Sequence, residues 1–388
     1  MKTKRSFLPL RIAAATVLTL LFVFSLATNA ADPPFVIELL QTQDVRTIEG
    51  NIQTVINSAK SNGADTVTVT GSKTGVSELL TLNIPANVKV LWQATYSDNG
   101  FSSYGLIQLS DNGAFEVGTG GSISSSSAGT HVIKSISNRS TVTISGTGKV
   151  QAMGGNGIAI DSRGNVEVKD EATVSTATGT AIYVVGANVT VSGGTVTNTR
   201  GYGIFGVNGS VTVTVSGGLV FAYGSGITGS DNVILLTSNT TGPGFTGASG
   251  TGVVIAWNKA AGNTGYENGT PTDISLSPAS TTAVWDEQDG QKGIAYANDS
   301  NTGFIPLIPA LTGEVTITGA PTYGETLTAN TRDLTFEPDN IGVTEFGLFS
   351  YQWKHDDTGI NDATEQSYTL VSEDVGQTIT VTVTAENC

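Results

Sequence analysis

The chain has 388 residues, of which 48 are glycine and only 13% are charged. This composition excludes a charged disordered chain and a coiled coil, and the length allows two or three domains. The formal net charge of -15 opposes the phosphate backbone of DNA and RNA, so we expect no nucleic-acid partner.

Residues 1–30 have the pattern of a secretory signal. Lys2, Lys4 and Arg5 precede the charge-free, mostly apolar run 12–26, and Thr28-Asn29-Ala30 supplies small residues for cleavage. An uncleaved membrane anchor is the alternative, but the run is shorter than the roughly 20 apolar residues that a spanning helix needs. We therefore expect cleavage, no membrane span afterwards, and a protein that is secreted or displayed on the cell surface.

A single amphipathic helix is predicted at residues 48–60. Ile48, Ile52, Ile56 and Ala59 recur at helical spacing, and Asn62-Gly63 follows as a stop signal. From residue 65 onward the period changes to two, which indicates strands almost to the end of the chain.

Residues 141–227 contain an internal repeat, visible as two columns of branched apolar residues. The first column has spacings of 24, 23 and 24 residues and consists of Val142, Val166, Val189 and Val213. The second has spacings of 24, 22 and 23 residues and consists of Ile158, Ile182, Ile204 and Ile227. A repeat of this length without a helix predicts the coils of a parallel β-helix rather than leucine-rich repeats.

Glycine and asparagine residues occur in the repeat at the positions where turns are predicted. The pairs Gly193-Gly194 and Gly217-Gly218 follow the first column, and Asn165, Asn188 and Asn232 stand at other turn positions. Because glycine and asparagine tolerate positive φ, we predict this backbone conformation at these sites.

Three motifs carry a resemblance to a known fold family. They are the predicted helix followed by residues 66–71, the segment 80–90, and the repeated Val-x-Val-Ser-Gly-Gly-x-Val pattern. Together they resemble the pectin-lyase-like right-handed parallel β-helix of bacterial secreted and surface proteins, over about residues 47–256. The resemblance implies that the helix covers the open end of the first coil, and we assign residues 31–256 to this domain.

The remainder of the chain is predicted to form two smaller parts. Residues 257–312 are rich in aromatics and predict a small β element that ends in a linker at 305–309. Residues 313–388 resemble the immunoglobulin-like repeats of bacterial surface proteins, with Trp353 in the core and without the inter-sheet cysteine pair. Because the chain ends at Cys388 directly after a strand pattern, we expect this domain to be truncated.

Candidate catalytic groups are few. A glycoside hydrolase needs carboxylates that converge on one groove, and Asp161, Asp170 and Glu171 are predicted on turns of adjacent coils. Arg163 or Arg200 would lie nearby. With one cysteine and two histidines the chain provides neither a disulfide framework nor a Cys/His zinc cluster, so we expect no cofactor and no metal site.

Other motifs have structural interpretations that compete with functional ones. His131 and His355 are interpreted as structural or solvent-facing residues. The run Gly154–Gly157 is similar to a calcium-binding repeat but has Ala159 at the aspartate position. Threonines such as Thr143 suggest an ice-binding array, which Glu167 interrupts.

Two functions remain open from the sequence. The resemblance implies a non-catalytic, adhesin-like protein, in which the β-helix is a stiff spacer or a surface that faces a polysaccharide or a cell-surface glycan. The alternative is a divergent polysaccharide lyase or glycoside hydrolase that uses Asp161, Asp170 and Glu171. The aromatic residues of the 257–312 segment would either stack on sugar rings or form the core of a small domain.

Overall fold

The computed structural model describes residues 35–98, 105–198, 200–224, 227–258, 271–288, 291–299, 301–308, 310–337, 349–355 and 358–385. The predicted secretory signal lies outside these ranges. Within them, one α-helix and two short 3-10 helices, Ser230–Asn232 and Ser372–Asp374, accompany strands, so the all-β class is confirmed. No described helix has both the length and the apolar character needed to cross a membrane.

The first 19 strands form one parallel β-helix of about six turns. Backbone hydrogen bonds join each strand segment to its equivalents in the coils before and after it. The strands are β1 (Phe35–Leu39), β2 (Thr66–Val76), β3 (Leu80–Asn83), β4 (Lys89–Trp92), β5 (Thr95–Asp98), β6 (Ile107–Ser110), β7 (Ala114–Val117), β8 (Ser122–Ser125), β9 (His131–Ser135), β10 (Thr141–Ile144), β11 (Lys149–Ser162), β12 (Asn165–Val168), β13 (Thr173–Val185), β14 (Val189–Asn198), β15 (Gly201–Val207), β16 (Gly209–Gly224), β17 (Ile234–Leu236), β18 (Thr240–Gly244) and β19 (Val253–Asn258).

The strand segments stack into three sides, which we number in chain order within a coil. On the first side, the predicted valine column is confirmed. The continuous interior ladder there is Val67, Val90, Phe115, Val142, Val166, Val189 and Val213. Each of these side chains is at most 4% exposed, and complete burial of such a side chain is worth roughly 1.5–3 kcal/mol before entropy is counted.

The predicted isoleucine column is partly wrong. The interior ladder of the third side is Leu80, Ile107, Ile133, Ile160, Ile182, Ile204 and Ile234. Ile158 instead pairs with Thr180 and is half-buried, because β11 has register irregularities around Gly155 and Gly157 that displace the following residues. Ile227 is buried in the connection before β17 and lies outside the strands.

The helix α1 spans Val45–Asn62, so it extends beyond the predicted 48–60 at both ends. Its N-cap is Asp44, whose side chain accepts a hydrogen bond from the Thr47 N–H at 2.7 Å. Its buried residues include Ile48, Ile52 and Ile56. The helix packs against β1, β2 and β3, the first strands of the winding. Strand β1 was not predicted, because the repeat pattern is not apparent in Phe35–Leu39.

The predicted positive φ is confirmed for the second glycine of each pair and is wrong for Gly193, Gly217 and the three asparagines. Gly194 and Gly218 have φ values of 68° and 67°, whereas Asn165, Asn188 and Asn232 are not among the positive-φ residues. The side chains of Asn165 and Asn188 instead join neighbouring coils. The Asn165 side-chain oxygen accepts from the Asn188 N–H at 3.2 Å, and that of Asn188 accepts from the Thr212 N–H at 3.1 Å.

A three-stranded antiparallel sheet follows the β-helix, formed by β20 (Thr282–Gln288), β21 (Gln291–Asn298) and β22 (Asn301–Ile308). Ala283, Ile294 and Ile305 pack on Phe221 and Trp257, which face outward from the last coils. Residues 305–308 belong to β22, so the predicted linker is wrong there: these residues complete the sheet through antiparallel pairing with β21.

The C-terminal part contains small antiparallel sheets. Its strands are β23 (Ala310–Gly313), β24 (Thr316–Thr318), β25 (Thr326–Asn330), β26 (Leu334–Glu337), β27 (Phe349–His355), β28 (Thr358–Gly359), β29 (Ser367–Thr369) and β30 (Ile379–Ala385). Two three-stranded sheets, β24-β25-β29 and β28-β27-β30, contribute to one apolar cluster with Leu327, Leu370 and Trp353. Trp353 is fully buried, as predicted, and its indole N–H donates to the Glu365 carbonyl at 2.9 Å.

Candidate functional site

Six outward residues on the third side of the β-helix form a continuous surface, which we call the aromatic–acidic face. One ladder of this face runs through neighbouring coils in the order Lys134, Asp161, Tyr183 and Phe205. A second outward ladder runs beside it in the order His131, Ile158, Thr180 and Tyr202, and its end residues His131 and Tyr202 complete the face.

A shared local pattern positions these side chains. In β9 and β15, two partly exposed residues enclose two buried ones, and β11 and β13 have the same spacing although Asp161 and Thr180 are themselves largely buried. The second of the two inner residues is the ladder isoleucine. The inner pairs are Val132-Ile133, Ala159-Ile160, Ala181-Ile182 and Gly203-Ile204. Three of the four strands have alanine or glycine before the isoleucine. At Gly203 the space is limited, because an added Cβ would lie 2.7 Å from the Val233 carbonyl oxygen. Residues three apart therefore face outward together.

The acidic end of the face is a partly buried charge cluster. The Asp161 Oδ2 atom lies 2.7 Å from His131 Nδ1 and 3.9 Å from Lys134 Nζ. The Asp161 side chain is only 13% exposed, compared with 21% for His131 and 29% for Lys134. One oxygen of the carboxylate is thus held by two neighbours, which fixes the orientation of the other oxygen.

The aromatic end consists of three half-buried rings. Tyr202 stacks on Phe205 with centroids 4.8 Å apart and planes at 18°, and Tyr183 meets Phe205 edge-on at 5.6 Å. Burial raises the pKa of Tyr183, and the Asp161 carboxylate raises it further. The Tyr183 hydroxyl therefore stays protonated at neutral pH and can act as a hydrogen-bond donor.

The structure separates the three predicted carboxylates. Asp161 lies on the third side, whereas Asp170 and Glu171 form the turn between β12 and β13, at the corner between the first and second sides. Asp170 adopts a positive φ of 59°, and its Oδ2 accepts from the Gly146 N–H at 3.0 Å. The Asp170 side chain is thus part of the hydrogen bonding of a turn. The predicted convergence of the three carboxylates on one groove is wrong, because they lie on different sides of the coil.

Both histidines have carboxylate partners. His131 belongs to the aromatic–acidic face. His355 is the last residue of β27, and it contacts Asp374, which also accepts from the Tyr368 hydroxyl at 3.0 Å. Burial raises the pKa of Asp374, but hydrogen bonds from His355, the Val371 N–H and Tyr368 outweigh it, so that the net pKa is below its usual value.

The remaining sequence motifs have structural explanations. Gly154–Gly157 lies in the irregular part of β11, and the described residues contain no group of three or more His, Cys, Asp or Glu arranged to hold a metal. Thr143 pairs with Glu167, which pairs with Thr190, so a charge interrupts the threonine column as expected. Trp257 is fully buried against the small antiparallel sheet, which favours the core interpretation for this aromatic residue.

Asp161 and His131 are candidates from the sequence, whereas the three aromatic residues beside them are not. A signal for two of the rings was nevertheless present. Tyr183 and Phe205 directly follow the ladder residues Ile182 and Ile204, so they share the spacing of the repeat. An aromatic column on the outer face of a coil is not needed for the core and indicates a surface with another role.

The geometry of the face suits binding better than bond cleavage. Aromatic rings stack against the C–H faces of sugars, and a fixed carboxylate accepts hydrogen bonds from hydroxyl groups. Hydrolysis would require a second carboxylate, and Asp161 is the one carboxylate among the six residues of the face. No protein-family model matches the chain significantly, and no curated protein or solved structure does so either.

Proposed function

We propose that this protein is a non-catalytic, adhesin-like protein of the bacterial exterior that binds a glycan through its aromatic–acidic face. The observation that carries this proposal is the in-register order Asp161, Tyr183 and Phe205 on the outer surface of adjacent coils. Aromatic rings beside an oriented carboxylate suit a ligand that has many hydroxyl groups and weakly apolar faces, because the rings can stack on the faces and the carboxylate can accept from the hydroxyl groups.

The other parts of the chain take supporting roles in this proposal. Residues 1–30 direct export. The winding is right-handed, as nearly all parallel strand crossovers are, and acts as a stiff spacer that presents the face. The sheets around Trp353 form an immunoglobulin-like unit that serves as a stalk or as a module for a protein partner.

A glycan array probed with the purified protein tests the binding function. We expect retention of one class of glycan and a loss of at least about tenfold in affinity for the double variant Tyr202→Ala/Phe205→Ala, which removes the stacked rings (roughly 1.4 kcal/mol per factor of ten). Thr190→Ala is the control, because Thr190 faces outward on the first side of the β-helix. Equal binding by the double variant and the wild type would overturn the proposal.

An activity assay tests the catalytic alternative. The protein is incubated with pectins and other uronic acid polymers, and unsaturated or reducing ends are followed. We expect no turnover, because Asp161 is separated from Asp170 and Glu171. Turnover that is lost in Asp161→Ala would contradict the non-catalytic proposal.

A further inference from the structure

We infer that the aromatic–acidic face selects neutral hexopyranose oligosaccharides over acidic ones, with Asp161 as the residue that determines this specificity. The inference rests on the proposed glycan-binding function and names its ligand class. It follows from the order of the residues in one ladder, in which Asp161 stands between the aromatic rings and Lys134.

A sugar ring stacked on the aromatic end meets Asp161 as its nearest charged neighbour. Strands in adjacent coils are about 4.8 Å apart, so Asp161 is one coil from Tyr183 and Lys134 is two coils from it. A hydroxyl group at the edge of the sugar can donate to the carboxylate. A uronate at the same place would bring two negative charges together, which is unfavourable in a partly buried site.

The contacts of Asp161 support its role as an acceptor. His131 and Lys134 both approach Oδ2, so Oδ1 is the oxygen left to receive vicinal hydroxyl groups of a ligand. A hydrogen bond to an ionised acceptor is shorter and stronger than one between neutral groups. Contacts from His131 and Lys134 to one oxygen therefore orient the carboxylate.

Nearby basic residues do not reverse this preference. Lys134 pairs with Asp161 on the side away from the rings. Arg163 follows the end of β11 and Arg200 precedes β15, so both lie outside the two outward ladders that form the face. The net charge of -15 adds a long-range field that disfavours polyanions.

Isothermal titration calorimetry on the purified full chain tests this specificity. The probes are cellohexaose and mannohexaose as neutral ligands and hexagalacturonate as the acidic ligand of equal length. We expect at least one neutral hexasaccharide to bind at least tenfold more tightly than hexagalacturonate. Asp161→Asn keeps the shape of the side chain and removes its charge, so the ratio of neutral to acidic affinity should fall at least tenfold.

The control variant is Glu167→Gln, which removes an exposed carboxylate from the first side of the β-helix and should leave the ratio unchanged. Tighter binding of hexagalacturonate, lost in Tyr202→Ala/Phe205→Ala, would overturn the neutral specificity and leave the glycan-binding function standing. An unchanged ratio in Asp161→Asn would likewise overturn the role of Asp161. Absence of binding by all three probes together with an empty glycan array would overturn the proposed function itself.

Discussion

Asp161 and Asp374 are both carboxylates with low exposure that lie beside a histidine. Their surroundings nevertheless give them different roles. Asp161 lies on an outer surface next to aromatic rings, and the side chains of His131 and Lys134 approach the same carboxylate oxygen. Asp374 has a side chain that is 3% exposed, and its partners His355, Tyr368 and the Val371 N–H come from several segments of the C-terminal sheets. We interpret Asp374 as a residue that holds these segments together.

The lowered pKa of Asp374 predicts acid sensitivity of the C-terminal sheets. A carboxyl whose pKa is lower in the folded state than in the unfolded state contributes stability above the unfolded value, which is about 3.9 for aspartate, and this contribution is lost as the pH falls through the folded pKa. Asp374→Asn should therefore cost about 1.5–3 kcal/mol at pH 6 and much less near pH 2. Hydrogen exchange in β27 and β30 at the two pH values measures the difference.

The control for this prediction is Glu373→Gln, an exposed neighbour that accepts from the Ser372 hydroxyl at 2.8 Å. This variant should leave exchange in the two strands nearly unchanged. If Asp374→Asn destabilised β27 and β30 equally at both pH values, the ionised carboxylate would not be the stabilising species.

At the scale of the strand, alternation inside each coil decides which substitutions the β-helix tolerates. Val191 points into the interior with an exposure of 0% and pairs with Val168 and Val215 in the coils on either side. Val191→Asp would bury a charge without a partner and should lower the free energy of unfolding by about 3–5 kcal/mol. Thermal and urea unfolding measure this loss.

Thr214→Asp is the matched control, because Thr214 is exposed on the adjacent strand segment and faces the opposite way from Val213 and Val215. A surface substitution of this kind should change stability by no more than about 0.5 kcal/mol. Equal effects of the two aspartates would mean that Val191 is not an interior residue.

The predictable part of the fold is the part in which each coil repeats without irregularity. The valine column was correctly identified because its period-two strands recur at nearly constant spacing, so the buried position can be counted. Ile158 was misassigned because the irregularities around Gly155 and Gly157 add residues inside β11, and the glycine run there was compared with a calcium-binding repeat instead of being interpreted as a bulge. Strand β1 was missed because an isolated five-residue segment has no repeat to compare with.

The candidate site was less predictable than the fold. Asp161 was found from its residue type, but its partners depend on which residues of neighbouring coils come into register. The aromatic end depends on the pattern in which two outward residues enclose two buried ones, and simple alternation would place Tyr202 and Phe205 on opposite faces. The separation of Asp161 from Asp170 follows from the corners of the coil, which spacing alone does not locate.

On the scale of the whole molecule, the residues that the structure describes form three apolar clusters, over which stability is distributed. One is the interior of the β-helix, one joins the last coils to the small antiparallel sheet, and one surrounds Trp353. In a stacked winding each coil contacts its neighbours, so the effect of a local defect spreads to adjacent coils. The aromatic–acidic face depends on the first cluster, since its residues come from four successive coils.

Cysteine cross-linking across β10 and β12 tests the parallel winding most directly. In a background of Cys388→Ser, two double variants place in-register outward pairs one coil apart: Thr141→Cys with Asn165→Cys, and Thr143→Cys with Glu167→Cys. Parallel strands about 4.8 Å apart bring both pairs within the Cα separation of a disulfide, and both should oxidise readily. Preferential cross-linking of the exchanged pairs, Thr141→Cys with Glu167→Cys and Thr143→Cys with Asn165→Cys, would show antiparallel pairing and contradict the winding.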